Sequence, residues 1–106
     1  MEKLKIMLCC GAGMSSGFLA QKTRQAAKKK GVSVTVEARS ESAINQYIDD
    51  IDILLIGPHC ASSYDMLKEI GDTKNVIVSM IPPKIYSSLD GEQLLNLALN
   101  LMNNGE

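Results

Sequence analysis

Long apolar runs are missing from this sequence: those present, such as Ile53 to Ile56, fall far below the ~20 residues needed to cross a bilayer. The opening Met1-Glu2-Lys3-Leu4-Lys5 has neither the continuous apolar stretch nor the small-residue cleavage site of a secretory signal, so a soluble, cytoplasmic protein is expected. A surplus of charge is missing too. With 11 basic and 12 acidic side chains the formal net charge is −1. That argues against a nucleic-acid partner, because neutralising a row of phosphates needs Lys and Arg concentrated on one face. Cysteines are few and oddly spaced: Cys9 and Cys10 are adjacent, Cys60 stands alone, and no Cys-x-x-Cys occurs. Such a set serves neither a disulfide framework nor a tetrahedral zinc site, and at least one thiol is left for chemistry. No metal and no cofactor is expected, and no repeat, linker or low-complexity segment breaks the chain.

What is present fits one domain spanning residues 1–106, 45% hydrophobic and 22% charged, large enough to bury a core without disulfide staples. Residues 4–9 read as a short apolar strand, and Cys10-Gly-Ala-Gly-Met-Ser-Ser-Gly17 as a glycine-rich break. A helix follows, with Ser15 or Ser16 as its cap, Phe18, Leu19, Ala26 and Ala27 in its inward stripe, and Lys28-Lys29-Lys30 then Gly31 at its end. The alternation of Val32, Val34, Val36 and Ala38 with polar residues predicts an edge strand, and residues 42–48 a short helix. Residues 51–56 are apolar enough for a central strand ended by Gly57-Pro58. A helix over 63–70 should close at Gly71, and a strand over 75–81 should stop at Pro82-Pro83. The last helix begins at Asp90, with Gln93 completing a capping box and Leu94, Leu97, Ala98, Leu101 and Met102 as its buried stripe. Strands alternating with helices through short links imply an α/β fold: an open parallel sheet with helices on both faces.

In such sheets ligands gather at the carboxyl ends of the strands, near the reversal of strand order. If the order is 2-1-3-4, as in flavodoxin-like sheets, the loop at 10–17 and the loop Gly57-Pro58-His59-Cys60-Ala61 are neighbours. Gly11, Gly13 and Gly17 tolerate the positive φ that turns successive N–H groups inward, and the start of the helix adds its own N–H groups and dipole. Together these make a cradle for an anion. The same field lowers a thiol from about 8.5 to somewhere between about 3.5 and 7.5, making Cys10 a thiolate nucleophile. A buried, strand-ending Cys10 would leave the glycine-serine cradle unexplained. Cys9, one residue earlier on the strand, should point the other way and serve packing. Ser15 and Ser16 can cap the helix and also donate to a bound phosphate. His59 is a possible neighbour of the site, and Cys60 reads as packing or as the partner of Cys10 in an inactivating disulfide.

The passages Ile6-Met-Leu-Cys-Cys-Gly-Ala-Gly-Met-Ser-Ser16, Ile53-Leu-Leu-Ile-Gly-Pro58 and Tyr86-Ser-Ser-Leu-Asp-Gly91 resemble the cytoplasmic IIB components of the lactose/cellobiose class of the bacterial sugar phosphotransferase system. The resemblance runs nearly end to end. It implies a four-stranded parallel sheet of order 2-1-3-4, a fold shared with flavodoxin and the small tyrosine phosphatases. It implies that Cys10 accepts a phosphoryl group from a phosphohistidine of a IIA partner. It implies also that Gly11, Ala12, Gly13, Met14, Ser15, Ser16 and Gly17 form the phosphate loop. The acceptor would be a cellobiose-, lactose- or chitobiose-like sugar arriving through a membrane component, IIC.

Three other readings compete. A small cysteine-dependent phosphatase would carry arginine where this chain has Ser16, and would use an Asp-Pro pair that is missing here, so hydrolysis should be slow. A dinucleotide-binding module would place its third glycine one residue before Gly17 and would need a longer chain. A thiol redox module would want the paired motif already found missing.

Overall fold

The computed structural model describes residues 4–9, 14–39 and 43–104, with the side chains of 14–16, 59, 103 and 104 left aside. The order of elements is β1 (Leu4–Cys9), α1 (Met14–Lys30), β2 (Val34–Arg39), α2 (Ile44–Tyr47) running into a 3-10 turn (Ile48–Asp50), and β3 (Ile53–Ile56). A second 3-10 segment (Pro58–Ser63) then leads to α3 (Tyr64–Lys74), β4 (Ile77–Met80), α4 (Pro83–Ser88) and α5 (Gly91–Asn104). All strands are parallel, in the order β2-β1-β3-β4. This is the predicted topology.

The hydrophobic pattern explains the layering. All four residues of β3 are buried, as a central strand covered on both sides requires. Ile6, Leu8, Val36, Ile53 and Leu55 face one layer with Leu19 and Ala20 of α1, Ile85 and Tyr86 of α4, and Leu94 and Ala98 of α5. Met7, Cys9, Leu54, Ile56 and Val78 face the other, with Ile44, Ile48, Cys60 and Leu67. Edge strand β2 is wet at Glu37. Leu4 N–H donates to the Ser33 carbonyl (3.1 Å). In a parallel pair that phase turns the Val36 carbonyl to the open edge, where the Arg24 guanidinium donates to it.

Several local expectations change. α1 begins at Met14, so Ser15 and Ser16 lie within its first turn instead of capping it, and Gly17 is helical with no left-handed φ. Phe18 is 58% exposed, because it lies about 100° of helix rotation outside the inward arc, which is formed by Leu19, Ala20, Thr23 and Ala27. Thr23 is buried and satisfies its hydroxyl on the Leu19 carbonyl (2.8 Å). β3 starts at Ile53 and β4 at Ile77, both later than their patterns suggested, and α3 starts at Tyr64, after Ser63 has ended the 3-10 segment.

Helix ends also differ. α3 does not stop at Gly71; it runs to Lys74 and ends at Asn75, which takes the left-handed conformation (φ 61°, ψ 35°) that a short polar side chain tolerates. Gly71 is instead a point of close approach, where a Cβ would meet the Val78 side chain and lie 2.9 Å from the Val76 carbonyl. Pro83 ends strand pairing by opening a helix, α4, at the first helical position, where its missing N–H is no loss. Gly31 (φ 72°) terminates α1 as predicted. Asp90 caps α5, accepting from Gln93 N–H (3.1 Å); the Gln93 side chain reaches the Asp90 carboxylate (2.9 Å) and not a main-chain N–H. Leu95 joins the buried stripe, while Met102 is 41% exposed.

α1 and α5 meet at Gly91, where a Cβ would fall on the Lys22 carbonyl and the Thr23 amide of α1. Main chain cannot step aside as a side chain can. Gly91→Ala should therefore destabilise the fold by about 2–3 kcal/mol. Gly17→Ala, with open space around the new carbon, should stabilise it by about 0.5–1 kcal/mol. Thermal unfolding should rank the melting temperatures Gly17→Ala, native chain, Gly91→Ala in descending order.

Candidate functional site at the carboxyl ends of β1 and β3

Two adjacent strands send their chains to opposite faces here. From β1 the chain enters α1 on one face; from β3 it passes through Pro58–Ser63 to α3 on the other. The crevice between such strands is where an open parallel sheet receives a ligand. β1 ends at Cys9, in register with Ile56 at the end of β3. The Gly57 N–H donates to the Cys9 carbonyl (2.9 Å), Cys60 N–H to the Gly57 carbonyl (2.9 Å), and Ile81 N–H to the Ile56 carbonyl (2.8 Å). The loop after β3 is thus bonded to the last residue of β1, which is the neighbourhood the strand order predicts.

Cys10, Gly11, Ala12 and Gly13 lie outside the described residues, as do the side chains of Met14, Ser15, Ser16 and His59. The first turn of α1, Met14 to Gly17, begins four residues after Cys10, and helix geometry leaves its leading N–H groups without partners inside the helix. No acidic side chain occupies that turn, while Lys28, Lys29 and Lys30 occupy the last, so nothing within the helix opposes its positive end. His59 has its main chain in the 3-10 segment, within two residues of the Gly57 amide that holds Cys9.

The other cysteines fall where packing needs them. Cys9 has no exposed surface and turns to the face opposite α1, among Met7, Ile56, Cys60 and Leu67. Cys60 is 3% exposed in the same cluster. Tyr86 was given no role on sequence grounds, yet its ring lies against Gly57: a Cβ there would be 3.4 Å from Cε1 of the ring and 3.3 Å from the Cys9 carbonyl oxygen. Only the passage Tyr86-Ser-Ser-Leu-Asp-Gly91 hinted at it, and nothing in that string says which strand the ring meets. Elsewhere, hydrogen bonding to Asp72 (2.9 Å) raises the Lys68 pKa, an exposed pair within α3. Among the described residues no three of His, Cys, Asp and Glu gather to hold a metal.

Comparison with family models matches residues 5–97 to the PTS system, Lactose/Cellobiose specific IIB subunit. The chain belongs to this IIB family. It is 30% identical over 100 residues to the oligo-beta-mannoside-specific EIIB component of Bacillus subtilis, covering 94% of this chain and 97% of that one. The solution structure of a cellobiose-specific phosphotransferase IIB component from Borrelia burgdorferi superposes with a TM-score of 0.81 at 34% identity, over 97% of this chain and 94% of that one. The lactose-specific EIICB component of Streptococcus mutans is 30% identical over 96 residues, which make up 89% of this chain but 17% of that longer protein. In this IIB chain, no helix among the described residues is long and apolar enough to cross a membrane.

Cys9 and Cys60 are both buried. A thiol reagent added to the native chain should leave Cys9 and Cys60 unmodified and modify both after unfolding in guanidinium, as read by peptide mass mapping.

Proposed function

We propose that this IIB chain carries a phosphoryl group on Cys10. The Cys10 thiolate attacks the phosphorus of a phosphohistidine on a IIA partner; the sulfur–phosphorus bond forms as the nitrogen–phosphorus bond breaks, and the imidazole leaves. A sugar hydroxyl, presented by a membrane IIC partner, then attacks the same phosphorus: the oxygen–phosphorus bond forms, the hydroxyl proton passes to a base of that partner, and the sulfur–phosphorus bond breaks to release the thiolate. The main-chain N–H groups of Gly11, Ala12, Gly13, Met14, Ser15 and Ser16 would receive the phosphoryl oxygens, with Ser15 and Ser16 adding hydroxyl donors and His59 standing close by; the N–H of Gly17, the fourth residue of α1, is the first that the helix itself uses. Each such charge-assisted contact contributes about 1.5–3 kcal/mol.

The observation that carries this reading is the position of Cys10 in the chain. It directly follows Cys9, whose carbonyl is bonded across the β1/β3 crevice, and it precedes a helix start with no carboxylate in its first turn. A thiol in such a place is favoured as its anion, and developing negative charge on phosphorus is favoured with it. Family membership supports sugar-specific phosphotransfer. The named specificities of the relatives, for oligo-beta-mannoside, cellobiose and lactose, support a β-linked disaccharide or oligosaccharide as the acceptor. The EIICB relative, which joins both components in one chain, supports IIC as the receiving partner.

The test is phosphoryl transfer from labelled phosphoenolpyruvate through the general phosphotransferase proteins and a IIA. Native chain, Cys9→Ser and Cys60→Ser should take up one label each, located on Cys10, and Cys10→Ser none. Label persisting on Cys10→Ser would overturn the assignment.

A further inference from the structure

We infer that the carboxyl edge of the sheet docks IIA in a single orientation: a cationic rim on α1 and α4 meets carboxylates of that protein, and an anionic rim on α3 meets its cations. The inference rests on IIA being the phosphoryl donor. A donor that reaches the crevice between β1 and β3 must cover both rims. A standard interface buries about 800 Å² on each partner, a disc about 32 Å across. The molecule itself measures 34 × 29 × 22 Å along its principal axes.

Helices α1, α3 and α4 each start after a strand has ended, so their first turns border this edge. On one face of the sheet, Phe18 is 58% exposed near the start of α1, and Lys22 stands exposed one turn further along the same outward arc. Lys84 is exposed in the first turn of α4, in the same layer, and α1 carries no acidic residue along its length. The other face has the opposite sign. Met66 is 51% exposed in the first turn of α3, with Asp65 beside it and Glu69 on the next turn, both exposed. Leu67, between them, is buried with Cys9, Ile56 and Cys60, which ties this turn to the strand ends. Nearby cations are engaged elsewhere: Lys68 with Asp72 (2.9 Å), and Arg39 with Glu37. Neither Asp65 nor Glu69 makes an ion pair among the described residues. Each rim thus sets one large apolar side chain in water beside charges of one sign. A partner turned half a revolution about the crevice would bring like charges together, so the pattern selects one approach.

The test is titration of full-length variants with a IIA of the lactose/cellobiose class, each variant first checked by circular dichroism and melting temperature. Lys22→Glu with Lys84→Glu should raise the Kd about three- to tenfold at low salt, chiefly through slower association, and so should Asp65→Lys with Glu69→Lys. Both effects should fade by about 0.5 M NaCl. These two reversals change the net charge in opposite directions. A partner answering to net charge alone would be weakened by one and strengthened by the other, and that result would overturn the inference. Lys28→Glu with Lys29→Glu, placed about 21 Å along α1 from its start, should leave the Kd within about twofold of native. Phe18→Ala and Met66→Ala should weaken binding at every salt concentration. Native affinity in both rim reversals, or no binding of IIA by the native chain, also overturns the docking. Transfer is read separately. Label on Cys10 with native affinity in both reversals removes the docking and leaves the proposed function; binding that depends on both rims, with no label on the native chain, removes the function and leaves the docking.

Discussion

The parallel pairing of β1 with β3 is the contact on which everything else in this molecule depends. It places two strands side by side whose residues alternate cleanly between faces: Ile6, Leu8, Ile53 and Leu55 to one layer, Met7, Cys9, Leu54 and Ile56 to the other. Hydrogen bonds close it at both ends. At the amino edge, Asp52 N–H donates to the Lys5 carbonyl (2.8 Å) and its carboxylate accepts from Lys5 N–H (2.9 Å); at the carboxyl edge, Gly57 N–H reaches Cys9. A slip of one residue would send every side chain into the opposite layer, against partners it does not fit, so the register is specified by packing on both faces. The crevice follows from that register, because the chains leaving these two strands must cover opposite faces.

The same alternation decides where Cys9 goes. Cys9 is committed to the layer opposite α1, where it is buried. Cys10 comes after the last strand residue, ahead of the positive end of a helix whose first turn holds no acid. A loop between a strand end and a helix start can offer main-chain donors to an anion without a charged side chain.

Much of this architecture was legible in the sequence because it rests on periodicity and on residues of restricted conformation. The uninterrupted apolar run at Ile53–Ile56 marks a doubly covered strand, the alternation from Val34 marks an edge, Gly31 marks a helix end that needs positive φ, and Asp90 marks a cap. The misreadings share a cause, which is that local signals do not reveal contacts between distant segments. Gly71 resembles a helix stop but serves the approach of α3 to β4, Pro83 resembles a terminator but opens α4, and Phe18 is apolar but lies off the buried arc.

By itself, then, the sequence determined the class of fold, the strand that must lie at the centre, the family to which the chain belongs and the cysteine that follows a strand into a glycine-rich turn. These are carried by spacing and residue type along the chain. Only the tertiary structure decided which surfaces meet: that Tyr86, 29 positions beyond Gly57 by their numbering, closes against it, and that Gly57 in turn holds the residue before Cys10. Contacts of that kind depend on how four strands and their crossovers stack, and a one-dimensional pattern carries no measure of it.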